Sequence, residues 1–152
     1  EQDLNSEQIV KYLAQKKSET FSLSEFKDNT LLITADTIVD LNGEVIPKPR
    51  DLQEAQAFIK KLSGKKHSVL TGVCLKTKLD NYVFSSKTDV YFRNLTDSEI
   101  EDYVNEMQPL DKAGAYGVQE WIGYIGVTAI QGSYLNVVGL PLANVHTAIE
   151  NF

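Results

Sequence analysis

Cysteine is almost missing from this chain: Cys74 stands alone, so no internal disulfide can form, and a reducing compartment such as the cytoplasm fits. Arginine is nearly as scarce, with Arg50 and Arg93 the only two, and no Pro-Arg-Arg occurs. No apolar run is long enough to span a bilayer, and no basic-then-apolar leader precedes the first helix-like stretch, which follows Glu1 almost at once. Cysteine–histidine zinc spacing, a Walker-type phosphate loop and a G-x-S-x-G elbow are all absent, as are repeats, low-complexity tracts and linkers. Positive charge is in deficit, and the net charge of −6 argues against broad binding to nucleic acid or a membrane surface. A small anionic ligand remains compatible, provided local lysines or a metal ion supply the field. What is present, 152 residues with 42% hydrophobic and 24% charged, is the make-up of one soluble domain with a real core.

Hydrophobic spacing and turn chemistry divide the chain into helices interleaved with hairpins. Asn5 and Ser6 cap a predicted helix to about Glu19, with Ile9, Leu13 and Ala14 on one face. Leu31 to Val39 reads as a strand, and Asn42-Gly43 as a two-residue hairpin turn returning through Glu44 to Ile46. Asp51 and Glu54 have capping-box spacing before a helix closed by Ser63-Gly64, and Thr96 and Glu99 repeat that spacing. His67 to Lys76 and Tyr82 to Phe92 read as strands. So do Ile122 to Ile130 and Tyr134 to Val138, ahead of a helix after Pro141. The pattern predicts a mixed sheet covered by helices.

Three clusters carry candidate chemistry. Asp36 lies among Leu32, Ile33, Ile38 and Val39, where an unpaired charge is costly to bury. It is either a strand-end carboxylate accepting backbone hydrogen bonds or a ligand for a metal or a base for water. Lys48 is held between Pro47 and Pro49, as a plain turn lysine near Asp51 or as a positioned ammonium for phosphate. The loop PLDKAGAYGVQEW places Asp111 and Lys112 beside Gly114 and Gly117, and Gln119 has an amide able to read a base edge. The plainer reading is a solvated ion pair and two turn glycines. His67 and Cys74 read as structural. Trp121 and Tyr124 could form an aromatic platform, with packing in the core or a dimer interface the favoured reading.

Taken in order, ITADTIVDLNGEVIPKPRD, KKLSGKKHSVLTGV, VYFRNLTDSEIEDYV, PLDKAGAYGVQ and GSYLNVVGLPL resemble the Maf family of nucleoside triphosphate pyrophosphatases, over nearly the whole chain. The resemblance implies an α/β, inosine-triphosphatase-like fold, an elongated mixed β-sheet flanked by helices. It also implies cleavage between the α and β phosphates, giving a monophosphate and pyrophosphate. The family's catalytic, metal-binding aspartate falls on Asp36, with Mg2+ or Mn2+ as cofactor, and its phosphate-neutralising lysines fall on Lys48 and Lys17. Thr37 after the aspartate, and Gln119 in AYGVQ, match the branch that acts on dTTP and UTP. Substrate contacts are expected at Thr37, Lys48, Lys17, Gln119, Asp111 and Lys112. A house-cleaning role extending to modified pyrimidine nucleotides, a homodimer, and no nucleic-acid or membrane partner complete the expectation.

One departure stands against it: the S-x-S-P-R-R loop, with its preceding strand and following helix, has no counterpart here. The chain is therefore expected to be N-terminally incomplete and weakly active, with a sheet edge or groove left open. The alternatives are a catalytically impaired nucleotide-binding or regulatory module linked to septum formation, and a structural interaction domain that binds no nucleotide.

Overall fold

Strands β1 (Leu32–Leu41) and β2 (Glu44–Ile46) form the hairpin expected around Asn42-Gly43, in a computed structural model that describes residues 4–22, 24 and 26–152. Asn42 and Gly43 take φ of 55° and 89°, as a two-residue turn between twisted strands demands. Helix α1 (Ser6–Glu19) precedes the hairpin, and α2 (Leu52–Leu62), β3 (Lys66–Lys76), β4 (Asn81–Phe92) and α3 (Asp97–Met107) follow it. The chain then runs through α4 (Trp121–Gly126), β5 (Val127–Gln131), α5 (Tyr134–Val138) and α6 (Leu142–Asn151).

The described strands form one sheet in the order β2-β1-β3-β4-β5. The expected α/β sheet flanked by helices is there. Its described pairings are antiparallel throughout, where a mixed sheet was expected. The reason is local: after α2 the chain re-enters opposite the end of β1, with Ser68 beside Asp40, so β3 has to run back along it.

Side chains alternate between the two faces of the sheet. Val39, Val69 and Val90 point to one face and pack with Ile59 and Leu62 of α2, Tyr103 of α3 and Ile122 of α4. Val73 and Leu75 extend that face toward Val145 of α6. Ile38 and Leu70 point the other way, onto Val10 of α1. Val10 is fully buried, and its burial contributes about 2 kcal/mol to holding α1 in place.

The helix starts follow the capping signals. Asn5 and Gln8, and Thr96 and Glu99, form complete capping boxes. At α2 the Asp51 side chain accepts from the Glu54 N–H, but the Glu54 carboxylate accepts from the Arg50 N–H, one residue earlier.

Two stretches expected as strands are helical. Residues 121–126 form α4, with Ile122, Gly123 and Gly126 buried and Trp121 and Tyr124 exposed. Residues 134–138 form α5, whose Ser133 hydroxyl accepts from the Asn136 N–H. β-branched and aromatic residues suggested strands in both, but short segments have weak local preferences and packing decided. Of these two stretches, only residues 127–130 are in a strand, inside β5.

Candidate functional site

The cleft lies along the edge of β1. Among the described residues, β3 pairs with β1 from Leu32 to Asp40, whereas β2 covers its other side only from Val39 to Leu41. Asp36 and Thr37 are neighbours in a strand and so project from opposite faces, yet both line one cavity of about 270 Å³. That is possible because the cavity wraps around the part of the strand edge that no described strand covers. Every residue singled out as a candidate, Lys17, Asp36, Thr37, Lys48, Asp111, Lys112 and Gln119, lines it.

On the α1 face, Lys17 donates to the Asp36 carboxylate and, at 3.0 Å, to the Ala35 carbonyl. Asp36 is thus no strand-end residue satisfied by backbone N–H groups: it sits mid-strand, with its side chain 22% exposed, facing a lysine. Thr34 donates to the Ala14 carbonyl at 2.6 Å, and Ser6 donates to Asp40. These contacts, with Val10 on Ile38, fix α1 against the sheet and bring Lys17 to Asp36.

Lys48 enters from the segment after β2. It is exposed and has no ion-pair partner within 4.0 Å among the described residues, Asp51 included. The Gly114 N–H donates to the Pro47 carbonyl at 3.2 Å, which ties the glycine loop to this segment. Gly114 has φ of 69°, and a Cβ there would lie 2.9 Å from a Val39 methyl. Its smallness therefore serves the turn and the docking of the loop on β1.

Lys112 is shared between Asp111 at 3.1 Å and Glu120 at 3.3 Å. Burial alone would lower its pKa, but those two hydrogen bonds and their charges raise it above the ordinary value. The same bond to Lys112 holds Asp111 below the usual carboxylate range. The Glu120 carboxylate also accepts from the buried Tyr103 hydroxyl, which in turn accepts from the Gly117 N–H at 3.1 Å. Burial, and then the Glu120 hydrogen bond, push the Tyr103 phenol up, so it stays a donor. Glu120 therefore braces Lys112 and the loop. Trp121 and Tyr124 do not line the cleft and are 45% and 74% exposed.

Beneath the loop, His67 and Tyr116 are buried and hydrogen-bonded at 2.7 Å, with Phe92 edge-on to both rings. Burial lowers the His67 pKa from 6.5 to about 4, against a smaller opposing effect of Asp89. A histidine neutral when folded and free to protonate when unfolded loses stability as pH falls from 6.5 toward 4. Unfolding in urea should show about 2 kcal/mol less stability at pH 4.5 than at pH 7, with the dependence between pH 6.5 and 4.5 flattened in His67→Phe. Equal dependence in the variant would remove His67 as the cause. Cys74 is a buried thiol 3.5 Å from the Ser18 hydroxyl, a core residue as expected.

The residues that sequence reasoning missed form the far wall. Val137, Val138 and Gly139 of the α5 segment line the cleft. They are fastened by Asn136, whose amide donates to the Val69 carbonyl at 3.1 Å, the Ser86 carbonyl at 3.3 Å and the Thr88 hydroxyl at 3.0 Å. Asn136 is fully buried. A lone amide inside the apolar run YLNVV was the one available signal.

For a cation, no group of three or more His, Cys, Asp or Glu side chains converges among the described residues. Asp36 is the carboxylate at the cleft free of Lys112, since Asp111 and Glu120 both engage that lysine. One carboxylate fits a Mg2+-type ion, which takes one or two protein oxygens and completes its shell with water and phosphate.

An α/β protein with a carboxylate and several lysines around one cleft belongs to the class built to bind and act on a phosphorylated small molecule. The model of the Maf-like protein family matches residues 1–152, and this chain belongs to that family. It is 48% identical over 147 residues to a protein of Christiangramia forsetii and 47% over 148 residues to one of Bacteroides thetaiotaomicron. It is 43% identical over 150 residues to one of Porphyromonas gingivalis. Each of the three is named a dTTP/UTP pyrophosphatase. The matches cover 97%, 97% and 98% of this chain, and 74%, 76% and 75% of those proteins.

Proposed function

We propose that this chain is a nucleoside triphosphate pyrophosphatase, a hydrolase that cleaves dTTP and UTP between the α and β phosphates. The observation that carries the reading is the convergence of Asp36, Lys17, Lys48 and Lys112 on one cleft with Thr37 and Gln119. The reaction adds water across a phosphoanhydride: a new P–O bond forms, the α–β bridge breaks, and pyrophosphate leaves. It needs positioned charge more than a covalent intermediate.

In this reading the triphosphate draws Lys17 from Asp36, because an ammonium gains more from a polyanion than from a single carboxylate. Lys48, without an ion-pair partner among the described residues, meets the phosphates directly. Asp36, released, orients water and accepts its proton. It is also the residue to hold Mg2+ or Mn2+, which when bound supplies charge neutralisation on phosphate and lowers the pKa of water. Lys112, braced by Asp111 and Glu120, and Gln119 at the cleft rim complete the substrate contacts. Modified pyrimidine nucleotides fall within the same reading, as a house-cleaning substrate set.

A cytoplasmic setting and a homodimer belong to the reading too, the latter with the exposed Trp121 and Tyr124 at its interface; a monomer mass in light scattering would remove the dimer. No helix among the described residues is long and apolar enough to cross a membrane. The test of the function is pyrophosphate release from UTP, dTTP, GTP and 7-methyl-GTP with magnesium. Release from the two pyrimidine substrates above the others is expected, and equal release from all four would overturn the assignment.

A further inference from the structure

Thr37 follows Asp36 in the lining of the cleft, and its hydroxyl meets a buried partner. Its Oγ1 lies 2.8 Å from the Oγ1 of Thr71. Thr71 is fully buried, and its own hydroxyl donates to the Asn136 carbonyl at 3.2 Å. Each hydroxyl has a single hydrogen, so both contacts are hydrogen bonds at once only when Thr71 donates to the Asn136 carbonyl and Thr37 donates to Thr71. What Thr37 offers to the cleft is then lone pairs alone. The end of the relay cannot easily turn, because the Asn136 amide locks α5 to β3 and β4 through Val69, Ser86 and Thr88. Gly139 keeps the hydroxyl approachable: even a Cβ there would stand 3.8 Å from Oγ1, and a longer side chain would cover it.

We propose that Thr71 and Asn136 are positioning residues that make Thr37 an acceptor-only group, and thereby select a ligand with an N–H donor at that point. The inference rests on the pyrimidine-nucleotide reading above. In a uracil or thymine nucleotide the only donor on the base is the imide N3–H. In cytosine the same position has a lone pair, which would face the lone pairs of Thr37 and leave both unpaired, a larger loss than a missing contact. Selection for UTP over CTP thus originates in a threonine that no ligand touches.

Binding, measured calorimetrically with the α,β-methylene analogues of UTP and CTP, tests this without needing turnover. Wild-type protein should prefer the UTP analogue by at least about tenfold. Thr71→Val frees the Thr37 hydrogen to face either ligand, so the preference should fall at least about fivefold, and Thr71→Ser should restore it. An unchanged preference in folded Thr71→Val would overturn the proposal. Should that variant not fold, the wild-type protein decides with the analogue methylated at N3: weakening by at least about tenfold supports the proposal, and equal binding overturns it. Selective binding without pyrophosphate release would sink the hydrolase reading alone, whereas no binding of the UTP analogue would overturn both.

Discussion

Asp36→Asn should reduce pyrophosphate release from UTP by a hundredfold or more while leaving the protein folded, on the order of the effect of removing a general base. The substitution keeps the size of the side chain and a carbonyl oxygen for Lys17, but removes the negative charge. The charge is what a metal ion, or a proton leaving water, requires. Its stability cost is small for a separate reason. Lys17 is 54% exposed, and an ion pair with one partner in solvent is worth at most about 1 kcal/mol. A large loss of rate with an unchanged unfolding midpoint therefore separates chemistry from folding. Full activity in Asp36→Asn would exclude Asp36 as catalytic residue, and a large loss of stability would mean that the lysine pair holds the fold.

Gly72→Ala should have the largest effect on stability. Gly72 sits in β3 directly opposite Asp36, under α1. A Cβ there would lie 2.1 Å from the Val10 carbonyl oxygen and 2.7 Å from the Lys11 nitrogen. These are backbone atoms of a helix, so no side-chain rotation relieves the clash, and α1 has to lift as a body. Replacing glycine in a strand normally gains less than about 1 kcal/mol from reduced chain entropy. Overpacking against backbone costs about 3 kcal/mol, so the clash wins. For a chain of this size the net cost of about 2–3 kcal/mol should lower the melting temperature by roughly 4–12 °C. Lifting α1 also withdraws Lys17 from the cleft, so the Michaelis constant for UTP should rise even where the protein remains folded. A melting temperature within about 2 °C of wild type would show that α1 is not seated against Gly72.

Both predictions concern β1 and β3, but only one of them could be anticipated from the residues alone. Asp36 was conspicuous because a carboxylate in an apolar strand demands a partner. Lys48 was conspicuous between two prolines, and Asp111, Lys112 and Gln119 in a loop of small residues; these expectations were local and chemical. Gly72 and Thr71 were inconspicuous. Both look like ordinary strand residues in VLTGV, and their importance depends on a helix and a carbonyl far away in sequence.

The caps and turns behave the same way. Asn5, Asp51, Thr96 and Asn42-Gly43 act on backbone groups within four residues, and the chain's own order was enough to predict where helices begin and the first hairpin turns. Residues 121–126 and 134–138 are short, rich in β-branched and aromatic side chains, and lack a decisive local preference. Val118 approaching Gly123, and Asn136 reaching three acceptors on β3 and β4, decided them as helices.

By itself, then, the sequence determined the candidate chemistry, the family likeness and the elements governed by neighbours along the chain. Only the tertiary structure decided that Asp36 and Thr37 line one cleft from opposite faces of β1, that Glu120 braces Lys112, and that the Thr37 hydroxyl meets Thr71. The reason is physical: capping and turn formation are nearest-neighbour properties, whereas packing distance and hydrogen-bond direction depend on groups that meet only after the sheet has formed.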